Sequence, residues 1–222
     1  MAVRTGDVYV NPPCCQRIVV RTAAQETGGV RSVMDLYVAP GGFAADFHVH
    51  PASEERFTLV RGRLRVSIAG TDVILDEPGQ TVAVPPGTVH RFFSASDHEE
   101  TFAVVEFTQR ADRFERLLLR QLFGLAEDGR LDDQGIPGPL QTAVTMLEFS
   151  DVLRFTSRPW PVQRTLYALL APVARMRGYR ACDPVAEERP ASTAEPETLP
   201  QEVAAAVNSR QVPRPAPQPH RR

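Results

Sequence analysis

Between residues 31 and 109 the chain alternates apolar and polar side chains in short runs, and glycine or proline interrupts the pattern throughout. The runs are SVMDLYVA, FTLVRGRLRVSIAG, DVILDE, TVAVPPG, HRFFSAS and TFAVVEFT. The breaks fall at Pro40-Gly41-Gly42, Gly62, Gly70, Pro78-Gly79 and Pro85-Pro86-Gly87. A period of two puts every second side chain on one face of an extended strand. Glycine turns the chain through positive φ, and proline withholds an N–H, so long helices are excluded here. Short strands at this spacing predict an all-β sandwich or barrel.

The flanking regions read differently. Residues 1–30 hold two short β-like runs, Val8–Val10 and Arg17–Arg21, and are expected to supply an arm or one or two leading strands. Residues 110–180 shift to a helical period, with Phe114, Leu117, Leu118, Leu122 and Leu125 on one face. A second helix is expected around Leu140–Phe155. A third is expected from Trp160-Pro161, where proline suits a first turn, to near Gly178, with Pro172 as a possible kink. This helical extension is expected to act as a lid or a dimer contact rather than a separate domain. Residues 181–222 are expected to be a disordered tail: from position 183 onward there are eight prolines and no aromatic residue.

Charge removes several functions. With 25 basic and 27 acidic residues the net charge is −2, so nothing points to nucleic acid or an anionic membrane as a partner. Every basic residue is arginine. A lysine Schiff base and a Walker-type phosphate loop are therefore excluded. Cys14, Cys15 and Cys182 do not make a disulfide framework and read as reduced thiols. The N-terminus has no signal-like apolar core, and the longest apolar stretch, Leu166 to Ala174, is too short to span a bilayer. A cytoplasmic protein is expected.

The chemistry-bearing residues lie in the strand-rich region. His48 and His50 sit two apart, so on a strand both imidazoles face the same side. After the turn Pro51-Ala52-Ser53, Glu55 shares a face with Phe57 and Leu59, while Glu54 has the opposite parity. His90 opens another strand after the turn Pro85 to Val89, with Phe92 on its face. Three imidazoles and one carboxylate suit a borderline divalent metal with positions left open. Asp46 has the parity of His48 and could orient a ligand or accept a proton. Phe57, Leu59 and Phe92 are expected to line the substrate cavity. Glu106 is a weaker candidate on a late strand, and His98 and His220 read as solvated.

The spacing of these residues resembles the two motifs of the cupin superfamily. The first reads Gly42, five residues, His48-Val49-His50, four residues, Glu55, six residues, Gly62. The second reads Gly79, five residues, Pro85-Pro86-Gly87, two residues, His90, three residues, Ser94. Only Ser94 departs, standing where the family has asparagine. The resemblance is to single-domain, metal-binding bacterial cupins of the quercetin dioxygenase-like kind. It implies a mainly β fold with one jelly-roll (double-stranded β-helix) barrel over residues 31–109. It also implies one divalent ion, Fe(II), Mn(II), Ni(II) or Zn(II), held by His48, His50, Glu55 and His90, with Glu55 able to leave the metal and act as a base. A homodimer and a small-molecule substrate are the expected partners. The expected activity is an oxygenase acting on a small organic molecule. A non-redox isomerase, cyclase or lyase and a non-catalytic binding module remain as alternatives, because a fold does not name a reaction.

Overall fold

The computed structural model describes residues 2–44 and 46–208. Two antiparallel sheets face each other. The larger runs β12-β1-β2-β3-β10-β5-β8, from Ser192–Thr193, Asp7–Asn11, Gln16–Thr22, Arg31–Val38, Thr101–Thr108, Glu54–Arg61 and Thr81–Val84. The smaller runs β11-β4-β9-β6-β7, from Arg154–Phe155, His48–Val49, His90–Ser94, Leu64–Ile68 and Thr71–Leu75. The leading strands β1 and β2 are thus full members of the large sheet.

Period-two alternation builds the core between the sheets. Met34, Leu36, Phe57, Leu59 and Val105 point inward from the large sheet, and Leu64, Val66 and Phe92 meet them from the small one. Gly62 makes the turn from β5 to β6 at φ +78°, and a Cβ there would sit 2.8 Å from the Thr101 backbone. Only glycine satisfies both the dihedral and the space.

The helical region departs from its expected form in two places. The first helix starts as α1 (Ala111–Glu115), widens into a π-helical stretch (Arg116–Phe123) and ends as α2 (Gly124–Glu127). The wider turn keeps residues four and five apart on one face, which brings Phe114, Leu118, Leu122 and Phe123 together over the barrel. The second helix, α3 (Pro139–Glu148), ends before position 155. Arg154 and Phe155 instead form β11 and pair with β4, because a free edge of the small sheet is there to be covered. The third helix, α4 (Trp160–Met176), has Pro161 in its first turn and Gly178 at φ +86° just beyond its end, as expected.

The tail expectation needs correction for residues 181–208. Here α5 (Pro184–Glu188), β12 and α6 (Gln201–Asn208) all pack on the protein. Strands β3 and β10 carry Val33, Tyr37, Phe102 and Val104 on their outer face, and Val203 and Val207 of α6 cover them. Glu197 pins the approach, accepting hydrogen bonds from Tyr37 and Arg61. Proline-rich composition hid a short amphipathic segment, and the apolar outer face it covers is not evident from local composition. Residues 209–222, the remainder of the expected tail, lie outside the described residues.

One buried carboxyl makes stability depend on pH. Glu115 is 4% exposed and accepts hydrogen bonds from the Ala24 amide at 2.7 Å and the Ser32 hydroxyl at 2.6 Å. Burial outweighs both donors and pushes its pKa up from 4.5 to about 7. The folded state therefore holds an extra proton between these two values, and stability falls as pH rises through that window. A Glu115→Gln variant is expected to lose this slope, worth about 3 kcal/mol between pH 4.5 and pH 7. Urea midpoints of both proteins at pH 5 and pH 8 check it; equal slopes would refute the assignment.

Candidate metal centre

The four predicted ligands meet at one end of the barrel. His48 on β4 lies directly opposite His90 on β9. Glu55, near the start of β5, reaches them from the large sheet, and His50 follows β4 by one residue. One ligand atom from each lies within 4.8 Å of every other, and all four side chains are buried. His90 Nε2 is 2.6 Å and His50 Nε2 3.5 Å from the same Glu55 oxygen. Glu54 points away and faces Arg56 at 3.5 Å.

Each imidazole is oriented through its other nitrogen. Nδ1 of His48 donates to the Asp46 carbonyl at 2.7 Å, Nδ1 of His50 to the Val152 carbonyl at 2.9 Å, and Nδ1 of His90 to the Thr88 carbonyl at 2.9 Å. A carbonyl only accepts, so all three rings carry a proton on Nδ1 and turn Nε2 inward. The rings of Phe107 and Phe114 meet His50 edge-on at 5.2 and 5.4 Å between centroids and hold its plane. Gly87, at φ +75°, donates its amide to the His50 carbonyl, which ties the turn before His90 to the strand carrying the other two histidines.

The electrostatics of the four groups are coupled. Burial, reinforced by the neighbouring His90 and His50, pushes the His48 pKa down to about 3, so its ring is neutral at ordinary pH. Burial would raise Glu55, but the His50 and His90 imidazoles facing it outweigh that and hold the carboxylate well below its usual range. For His90 burial is overcome in turn by the Glu55 carboxylate, and its pKa rises. Among the described residues His50 Nε2 is buried without a hydrogen-bond partner. A buried orphan nitrogen is costly unless something electropositive fills the space it faces. Three inward nitrogens, this orphan among them, and one carboxylate fit a divalent cation.

The centre opens into a cavity. Its walls are mostly apolar: Ile18, Met34 and Leu36 from the large sheet, Phe92 from the small one, and Phe114 and Leu122 from the helix above. Asp46 also lines it. The Asp46 carboxylate accepts from the Phe47 amide, and its carbonyl fixes His48, so one of the two expected roles is carried by the main chain. Phe92 is among the lining residues. Phe57 and Leu59 are not among the lining residues: both are fully buried in the core between the sheets. Parity gave their face correctly but not their depth, and they lie further along β5, beyond the metal end. Glu106 points to the outer side of the sheet and pairs with Arg31. Ser94, in place of the family asparagine, hydrogen-bonds within its own turn to the Ser96 carbonyl.

Sequence reasoning missed Val152, whose contribution is a carbonyl and leaves no mark in residue type. It found Phe114, Leu118 and Leu122 as a helix face without locating what that face covers.

Residues 34–106 match the model of the cupin domain. This segment is a cupin domain. No curated protein matches the sequence significantly. Among solved structures, an RmlC-like cupin from Shewanella frigidimarina is similar at 13% identity and a TM-score of 0.41, covering 49% of this chain and 88% of that one. KdgF from a Halomonas species is similar at 16% identity and a TM-score of 0.40, covering 50% and 99%. A putative sugar phosphate isomerase from Acidithiobacillus ferrooxidans is similar at 18% identity and a TM-score of 0.39, covering 47% and 67%. In this chain the domain's two motifs supply the four converging side chains, and the part beyond residue 110 supplies the roof and the Val152 support. Among the described residues no helix is long and apolar enough to cross a membrane.

Proposed function

We propose that this cupin domain holds one divalent metal ion through His48, His50, Glu55 and His90, and oxidises a small, largely apolar organic molecule with dioxygen. The observation that carries the reading is the pairing of a three-histidine, one-carboxylate centre with an apolar cavity. A bound ion would supply Lewis acidity and, if redox-active, electron transfer to dioxygen. The remaining work belongs to the chain. The aromatic and aliphatic walls bind an apolar substrate and exclude water from the centre. The carbonyls of Asp46, Thr88 and Val152 keep the three rings in the ligating tautomer. Asp46, on the cavity wall, would take a proton from a substrate hydroxyl.

The same lining argues against a phosphorylated sugar. No arginine is among the described residues lining the cavity, and the chain has no lysine to take its place. A sugar's hydroxyls would meet few polar partners beyond Asn11, Gln16 and Asp46.

Protein purified without chelators is expected to carry close to one divalent ion per chain by mass spectrometry, and to consume oxygen with a small phenol or enol drawn from a substrate panel. Turnover at an equal rate under anaerobic conditions would remove the oxygenase reading and leave non-redox metal chemistry. Metal binding with saturable ligand uptake but no turnover would leave a binding module.

A further inference from the structure

Helix α4 lies against α3 through Ala171 and Ala174, which pack with Val144. Its opposite face is apolar and bare. Val162, Leu166, Leu169, Val173 and Met176 are all exposed, Leu169 at 70% and Met176 at 80%. Single exposed apolar residues are ordinary, but a continuous row along one helix marks a contact surface. Their spacing of four, three, four and three residues is the seam pattern by which one helix packs lengthwise on another.

The row has an internal symmetry that selects its occupant. From Val162 to Val173 it reads Val, Leu, Leu, Val with spacings of four, three and four, the same in both directions. Two such helices laid antiparallel about a two-fold axis between Tyr167 and Ala168 bring Val162 opposite Val173 of the second copy and Leu166 opposite its Leu169. Every layer then pairs like with like, as a two-fold contact requires. The ten residues 165–174 carry no charge, so nothing in the middle of the seam repels an identical helix.

We infer that α4 is the two-fold interface through which two copies of this chain associate, helix against antiparallel helix.

Sedimentation velocity over a range of protein concentrations tests it. The wild-type chain is expected at twice its monomer mass. Leu169→Glu, on an exposed position that spares the fold, is expected to weaken association by about 100-fold. Its circular dichroism and bound metal should be unchanged. A wild-type monomer at all concentrations would overturn the inference, as would a dimer that survives Leu169→Glu. Residues 152–182 hold six arginines and no acidic residue. A second arm therefore adds vesicles of phosphatidylglycerol and phosphatidylcholine. Co-sedimentation of a monomeric wild type with these, lost at high salt and in Leu169→Glu, would overturn the dimer in favour of an anionic bilayer.

Discussion

Replacing His50 by alanine is expected to strip the protein of its metal. Outer hydrogen-bond partners of metal ligands are already worth about 10- to 100-fold in affinity, so loss of a ligand should cost more than about 100-fold. Three groups would remain, but the Glu55 carboxylate would lose one of the two imidazoles that hold it ionised against burial. The site would thus lose a ligand and part of the support for its carboxylate ligand. Mass spectrometry of metal in the purified variant, beside equilibrium dialysis against a competing chelator, reads the effect directly. Stoichiometric metal in His50→Ala would show that the ion is held elsewhere.

The second large effect lies outside the cupin motifs. Phe149→Ala is expected to cost about 3–5 kcal/mol of stability, as for other fully buried aromatic side chains cut back to alanine. It is also expected to weaken metal binding by about 10-fold without touching a ligand. The Phe149 carbonyl accepts from the amides of Val152 and Leu153, and its side chain packs in the core cluster that includes Val152, Leu153 and Phe155. That loop carries the carbonyl that orients His50 and leads into β11, where Phe155 pairs with His48. Phe102→Ala is the control. Phe102 is equally buried, but stacks on Tyr37 in the outer cluster away from the metal end. It should lose comparable stability with metal affinity intact at temperatures where both variants are folded. If the two variants bind metal equally well, the loop from 149 to 155 plays no part in the site.

These two predictions divide along the line between what was legible in the chain and what was not. His48, His50, Glu55 and His90 could be read because each sits within a strand or at its end, where a period of two dictates facing, and because Gly62 and Gly87 mark turns that few other residues can make. Phe57 and Leu59 show the limit of that rule: they share the face of Glu55, yet sit too deep in the barrel to touch the cavity. The π-helical widening of residues 116–123, the early end of α3 and the ordered segment before residue 208 were not legible from local pattern. Each answers a demand set by distant residues: a barrel end to roof, a sheet edge to pair, an apolar outer face to cover.

From the order of its residues alone the chain determined two facing sets of short strands and four side chains aimed at one point, because strand geometry is local and periodic. Only the tertiary structure decided which main-chain carbonyls fix the imidazoles, how far along the strand the cavity extends, and which helix closes it. Those contacts join residues separated by as many as 102 positions, as His50 and Val152 are. A contact made by a backbone carbonyl leaves no trace in side-chain identity, so it exists only once the chain has folded.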